Sequence, residues 1–215
     1  MKKLNNKGFS LVELVIATAI LSVVAVTVGM MMTSGTNMYS GVQKKANVLF
    51  KAQVGTAQLE QILSDADSED GICLGTTASG YKALYIIDKK IDPAEGEPAG
   101  MLTTIYHNTL DNTLYQKEDT IEVATGGAAS VTSDNDAVPF CYNITDIDFS
   151  VLADKDNTKN DGIDYIYSVK FTPTISKNDL DYDRNTVVAL RNKPATAEAA
   201  NGATALDNLM QILWR

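Results

Sequence analysis

The sequence predicts an α+β fold, in which one long N-terminal α-helix packs its outer half on an antiparallel β-sheet head. Three observations predict it. Residues 9–32 are about 24 positions of apolar character with a single charge, Glu13. A helical spacing of apolar residues continues to Leu63, and the first proline in the chain is Pro93. Beyond Ile72 the apolar period shortens to two, in segments broken by turn signals.

The N-terminal segment is the most informative. At 1.5 Å per residue its helix spans roughly 36 Å, enough to cross a bilayer core. Lys2, Lys3 and Lys7 precede it, which predicts a cytoplasmic start with the rest of the chain outside. An ordinary secretory signal ends its apolar run after about 7–15 residues at a small-x-small site, and this run is longer. A generic anchor explains the length but not Glu13, because an acid early in an apolar helix is costly in lipid and demands a partner.

The string Lys7-Gly8-Phe9-Ser10-Leu11-Val12-Glu13-Leu14 resembles the processing site of type IV prepilins and pseudopilins. The resemblance implies cleavage after Gly8 by prepilin peptidase, methylation of the new amine on Phe9, and a role in assembly for Glu13. It also implies a structural subunit, a minor pilin or pseudopilin of a type IV pilus-like or type II secretion-like filament, not an enzyme. The physics agrees. Gly8 leaves the backbone open to a peptidase. A cationic amine at a helix N-terminus is unfavourable, as is a lone carboxylate in an apolar bundle. Pairing Glu13 with the Phe9 amine of a neighbouring subunit relieves both and sets register. The family often carries a proline later in this helix, whereas here the stretch reads Gly29-Met30-Met31-Met32.

Past the membrane segment, Val42, Leu49, Ala52, Leu59, Ile62 and Leu63 form one apolar stripe, with Lys44, Lys45, Lys51 and Glu60 on a wetter face. The stripe suits packing on the sheet; a coiled coil with neighbours is the alternative. Gly35, Gly41 and Gly55 permit bending. The helix is expected to end near Leu63, before the acidic run of residues 65–71. Strands are expected at residues 81–87, 101–107, 113–117, 121–123, 147–151, 165–171 and 186–191. The organisation expected is a cleaved leader over residues 1–8, a transmembrane and assembly helix over 9–35, and an extracytoplasmic head over 36–215. Within the head the helix runs to about 63, the sheet over about 80–192 and the tail over 193–215. Residues 146–192 also resemble, more weakly, the larger minor pilins and pseudopilins, ending in Val188-Ala189-Leu190-Arg191-Asn192. Residues 89–100 and 125–136 read as exposed loops, open to contact with a neighbour or simply tolerant of any polar sequence.

Outside the cytoplasm two cysteines commonly form one disulfide, so Cys73 and Cys141 are expected to bridge; two buried free thiols are the alternative. Asp154, Asp156, Asp161 and Asp164 could supply oxygens to calcium, as head loops of some pseudopilins do, but Lys159 stands where the twelve-residue calcium loop requires glycine. A hairpin turn at Asp161-Gly162 is the simpler reading. His107 reads as structural. Near the C-terminus Thr204 and Asp207 form a capping-box pattern before Leu206, Leu209, Met210 and Leu213. This amphipathic helix docks on its own head or on another subunit.

The remaining composition excludes more than it selects. The net charge is −9, and loss of three leader lysines takes it to about −12, so nucleic acid is not captured by simple electrostatics. No phosphate-loop or dinucleotide spacing occurs, and a lone histidine gives no metal or nucleophile constellation. No small-molecule substrate or cofactor is expected. The partners implied are prepilin peptidase, other pilin or pseudopilin subunits and the membrane. The alternative role is a filament-tip adhesin that binds a surface or macromolecule.

Overall fold

The computed structural model describes residues 10–67, 69–91, 93, 97–123, 129–132, 136–155, 163–177, 180–183, 185–198 and 204–214. The chain divides into two compact units, Met1–Asn47 and Val48–Arg215. Helix α1, Leu11–Ser64, is continuous through Gly29 and Gly35. In the first unit its side chains are exposed all round.

The second unit is the head, a helix on a sheet as expected. Its strands are β1 (Gly71–Thr76), β2 (Lys82–Lys89), β3 (Gly100–Asn108), β4 (Thr113–Val123), β5 (Ala129–Thr132), β6 (Val138–Tyr142), β7 (Ile144–Lys155), β8 (Asp164–Lys177), β9 (Leu180–Asp183), β10 (Thr186–Ala189) and β11 (Ala195–Thr196). β1 to β4 form an antiparallel meander, and β5 and β6 share the far edge of β4. β7 and β8 are a long antiparallel pair, and the other edge of β8 carries β9, β10 and β11. β11 then pairs in parallel with β1 at Gly71↔Ala195, joining all eleven strands into one sheet.

Several of these elements depart from the sequence reading. The two short strands expected at residues 113–123 are one strand, β4. β1 starts before the expected sheet, where the alternation of Ile72 and Leu74 is too short to stand out. β5 lies inside the Gly/Ala/Ser stretch expected as a loop; a four-residue strand on β4 has no period of its own to read.

Alternate residues feed two apolar layers, as a pleated strand requires. Ile72, Leu84, Ile86, Ile105 and Leu114 join Val48, Ala52, Leu59 and Leu63 of α1 on one face. Cys73, Ile87, Leu102 and Ile121 join Ala205, Leu209 and Met210 of helix α2, Ala205–Leu213, on the other. β7 lies against β1, β3 and β4, so Ile144, Ile147 and Phe149 close the α1 layer from the far side. A register shift at Leu152/Ala153 lets Ile166 and Val169, three apart on β8, both face that layer. The α1 stripe is shifted from the one expected: Val48, Gly55 and Thr56 are buried, while Val42 is exposed.

The expected disulfide does not form. Cys73 and Cys141 are free and buried. Cys73 lies on β1 facing α2, whereas Cys141 lies on β6 facing α1. Three strands separate β1 from β6, which at strand spacing is roughly 19 Å. A disulfide requires Cα atoms within about 7 Å. Burial pushes the Cys73 thiol up to about 12 and the Cys141 thiol up to about 11. His107 is structural, as expected: it is buried on β3 with Nε2 2.6 Å from the carbonyl of Ile144.

Candidate functional site

The N-terminal helix is the site the sequence marks. Gly8 and Phe9 lie outside the described residues; the description begins at Ser10. Ser10 is the N-cap of α1 and Glu13 its third helical residue. The Ser10 N–H donates to Glu13 Oε2 at 3.0 Å, the Ser10 hydroxyl donates to the same oxygen at 3.1 Å, and the Glu13 N–H donates to Ser10 Oγ at 3.3 Å. This is a reciprocal capping box. Sequence reasoning found that pattern at Thr204 and missed it here, although Ser10-Leu11-Val12-Glu13 spells it.

The box gives Glu13 a local role. It satisfies two donors at the helix start and sets a negative charge where the helix dipole favours one. Both residues are exposed in the single chain, so the carboxylate is reachable by a neighbour's cation. From Leu11 to Met32 no other side chain is charged. The hydroxyls in the segment are satisfied within the helix. Thr18 donates to the carbonyls of Leu14 and Val15, Ser22 to Ala19, and Thr27 to Val23 and Val24. Their polar cost in lipid is thereby reduced, and the helix is long and apolar enough to cross a membrane once.

The head carries the remaining candidates. Asp156 and Asp161 lie outside the described residues. Asp154 and Asp164 stand near the ends of the β7–β8 pair, whose last partners are Lys155↔Asp164. Among the described residues no group of three His, Cys, Asp or Glu side chains is placed to hold a metal. Helix α2 docks on its own head: Leu209 and Leu213 sit over Gly71, where any side chain would clash with both. Nine residues are too few for a stable isolated helix, so packing supplies its stability. The predicted capping box is present, with Thr204 Oγ1 accepting from the Asp207 N–H and Asp207 Oδ2 accepting from the Thr204 N–H. At the turn leaving α1, Asp70 accepts from the N–H groups of Asp67 and Lys89, binding the helix exit to β2.

Residues 3–29 match the family model of the prokaryotic N-terminal methylation motif. Motif, long helix and sheet head support assignment to the type IV pilin and pseudopilin family. The motif supports a prepilin-peptidase substrate relationship. No curated protein and no solved structure matches the pilin-like chain.

Proposed function

We propose that the chain is a minor pilin or pseudopilin, cut after Gly8, methylated on Phe9, and assembled into a filament through its N-terminal helix. In this reading it first sits in the cytoplasmic membrane with the head outside. The single observation that supports it most strongly is Glu13, the only charge in the membrane segment, exposed at the helix start within the matched motif. In the single chain its carboxylate is shared with Ser10. In a filament it exchanges that local partner for the Phe9 amine of a neighbour, a stronger, charge-assisted hydrogen bond.

The test separates cleavage from assembly. Mass spectrometry of the mature protein is expected to give an N-terminus at methylated Phe9, and a bulky residue at Gly8 to block cutting. Glu13→Ala is expected to leave insertion and cleavage intact while lowering the fraction of chain in sheared filaments, with Glu13→Gln between. Stranding a buried amine costs about 3–5 kcal/mol, so the loss is large. Equal filament fractions for Glu13 and Ala would refute the pairing, and a mature chain starting at Met1 would refute processing.

A further inference from the structure

We propose that the open outer edge of β10 takes up β5 of a second copy of the chain, so that neighbouring heads pair strand to strand. This rests on the filament reading and adds the surface by which the head enters it.

β10 and β11 are one interrupted strand along β8, broken at residues 191–194 where Lys193 adopts φ 51°. β1 covers β11 but begins only at Gly71, so that cover stops there and, among the described residues, β10 pairs with β8 alone. The Leu190 N–H donates to the Tyr167 carbonyl at 2.8 Å. Antiparallel alternation then puts Thr186 and Val188 in the bonded pairs with β8 and turns the N–H and C=O of Val187 and Ala189 outward. They border a groove of about 510 Å³ whose other wall is the α1 flank at Ala57, Glu60, Gln61 and Ser64. Val187 is 63% exposed.

Open edges are ordinarily blunted by charge, proline or bulges. The described edges at β6, β7 and β9 are. β6 contains Pro139 and a register shift against β4. β7 carries Asp146 and Asp148, both within 3.7 Å of Lys82 Nζ. β9 reads Leu180-Asp181-Tyr182-Asp183. β10, Thr186-Val187-Val188-Ala189, has no charge and no proline.

An outward row of backbone donors and acceptors is recognised by another extended main chain. β5, Ala129-Ser130-Val131-Thr132, has the same length and character and, among the described residues, pairs with β4 alone. β10 and β5 stand at opposite ends of the strand order. Joining one end to the other makes a heterologous contact that repeats without reversing direction, as subunits sharing one membrane-helix polarity require. Pairing β10 with β10 would instead impose a two-fold axis.

The test uses the full-length chain in its host. Val187→Cys and Val131→Cys variants are expressed together, and sheared filaments are treated with a short bismaleimide; the buried native thiols supply the blank. Crosslinked dimers holding one copy of each variant are expected, with none from either variant alone. Val187→Pro deletes an outward N–H and leaves the bonded pairs with β8 in place. It is expected to lower the filament fraction several-fold with leader cleavage and the melting of the head unchanged. Dimers from Val187→Cys alone, crosslinks to a different protein, or co-expressed variants that assemble to the wild-type filament fraction without crosslinks each overturn the proposal and leave the filament reading standing. Absence of the chain from filaments altogether overturns both.

Discussion

Replacing Gly55 by alanine sets two effects of opposite sign against each other. Within a helix, alanine is favoured over glycine by about 1 kcal/mol. A Cβ on Gly55, however, would lie 2.5 Å from both Cβ and Sγ of Cys141 and 3.4 Å from its Cα. Carbon atoms ordinarily rest about 3.5–4.0 Å apart. The clash cannot be relieved by a rotamer change, because Cβ itself is in contact, so β6 or the helix must move. Cys141 is buried and its strand is held to β4 at Leu114, so the movement disturbs the core. Overpacking of this kind costs about 1–3 kcal/mol, which offsets the helix gain and leaves a net loss of up to about 2 kcal/mol. In a chain this size each kcal/mol shifts Tm by about 2–4 °C, so Gly55→Ala should melt lower than wild type, by up to about 8 °C. The only tryptophan, Trp214, is half-buried against Gly100 and reports unfolding of the head by its fluorescence. Cys141→Ala in the Gly55→Ala background removes the sulfur contact and should recover part of the loss. A Tm above wild type for Gly55→Ala, the sign that helix propensity alone dictates, would refute the close approach.

The two thiols should not react with maleimide in the native chain at pH 8 and should both react after denaturation, since each is buried with its ionisation pushed up to about 11–12; reduction should leave gel mobility unchanged, and a mobility shift would restore the bridge. Burial raises the Asp70 carboxyl above the ordinary carboxylate value, despite the two N–H groups that favour its charge. The folded chain therefore holds this proton more tightly than the unfolded chain, and the stability linked to Asp70 is full below the ordinary value, about 3.9, and is lost as pH rises through the raised one. The Tm difference between wild type and Asp70→Asn should change with that slope across the window, and a difference independent of pH would contradict it.

Local physics made much of this protein legible in its sequence. The long N-terminal helix follows from an unbroken apolar run, and Glu13 stands out because a charge there has a cost. The strands around Leu84, Ile105, Phe149 and Val169 announce themselves by alternation, and α2 by its capping box. Each signal lies within a few residues of chain, where side-chain type and backbone period decide the outcome. The Ser10–Glu13 box is equally local, since Ser10-Leu11-Val12-Glu13 spells it.

What only the tertiary structure decided depends on which strands become neighbours. Cys73 and Cys141 look like a bridge until strand order separates them and strand parity turns them to opposite faces. Gly55 looks like a flexible point in a helix until β6 is pressed against it. β10 reads as an ordinary strand, and its edge is open only because β1 begins at Gly71 and stops short of it. Such facts come from long-range pairing and register, which the period-two pattern of a single strand does not encode: the same alternation serves any neighbour, and a one-residue shift exchanges the faces.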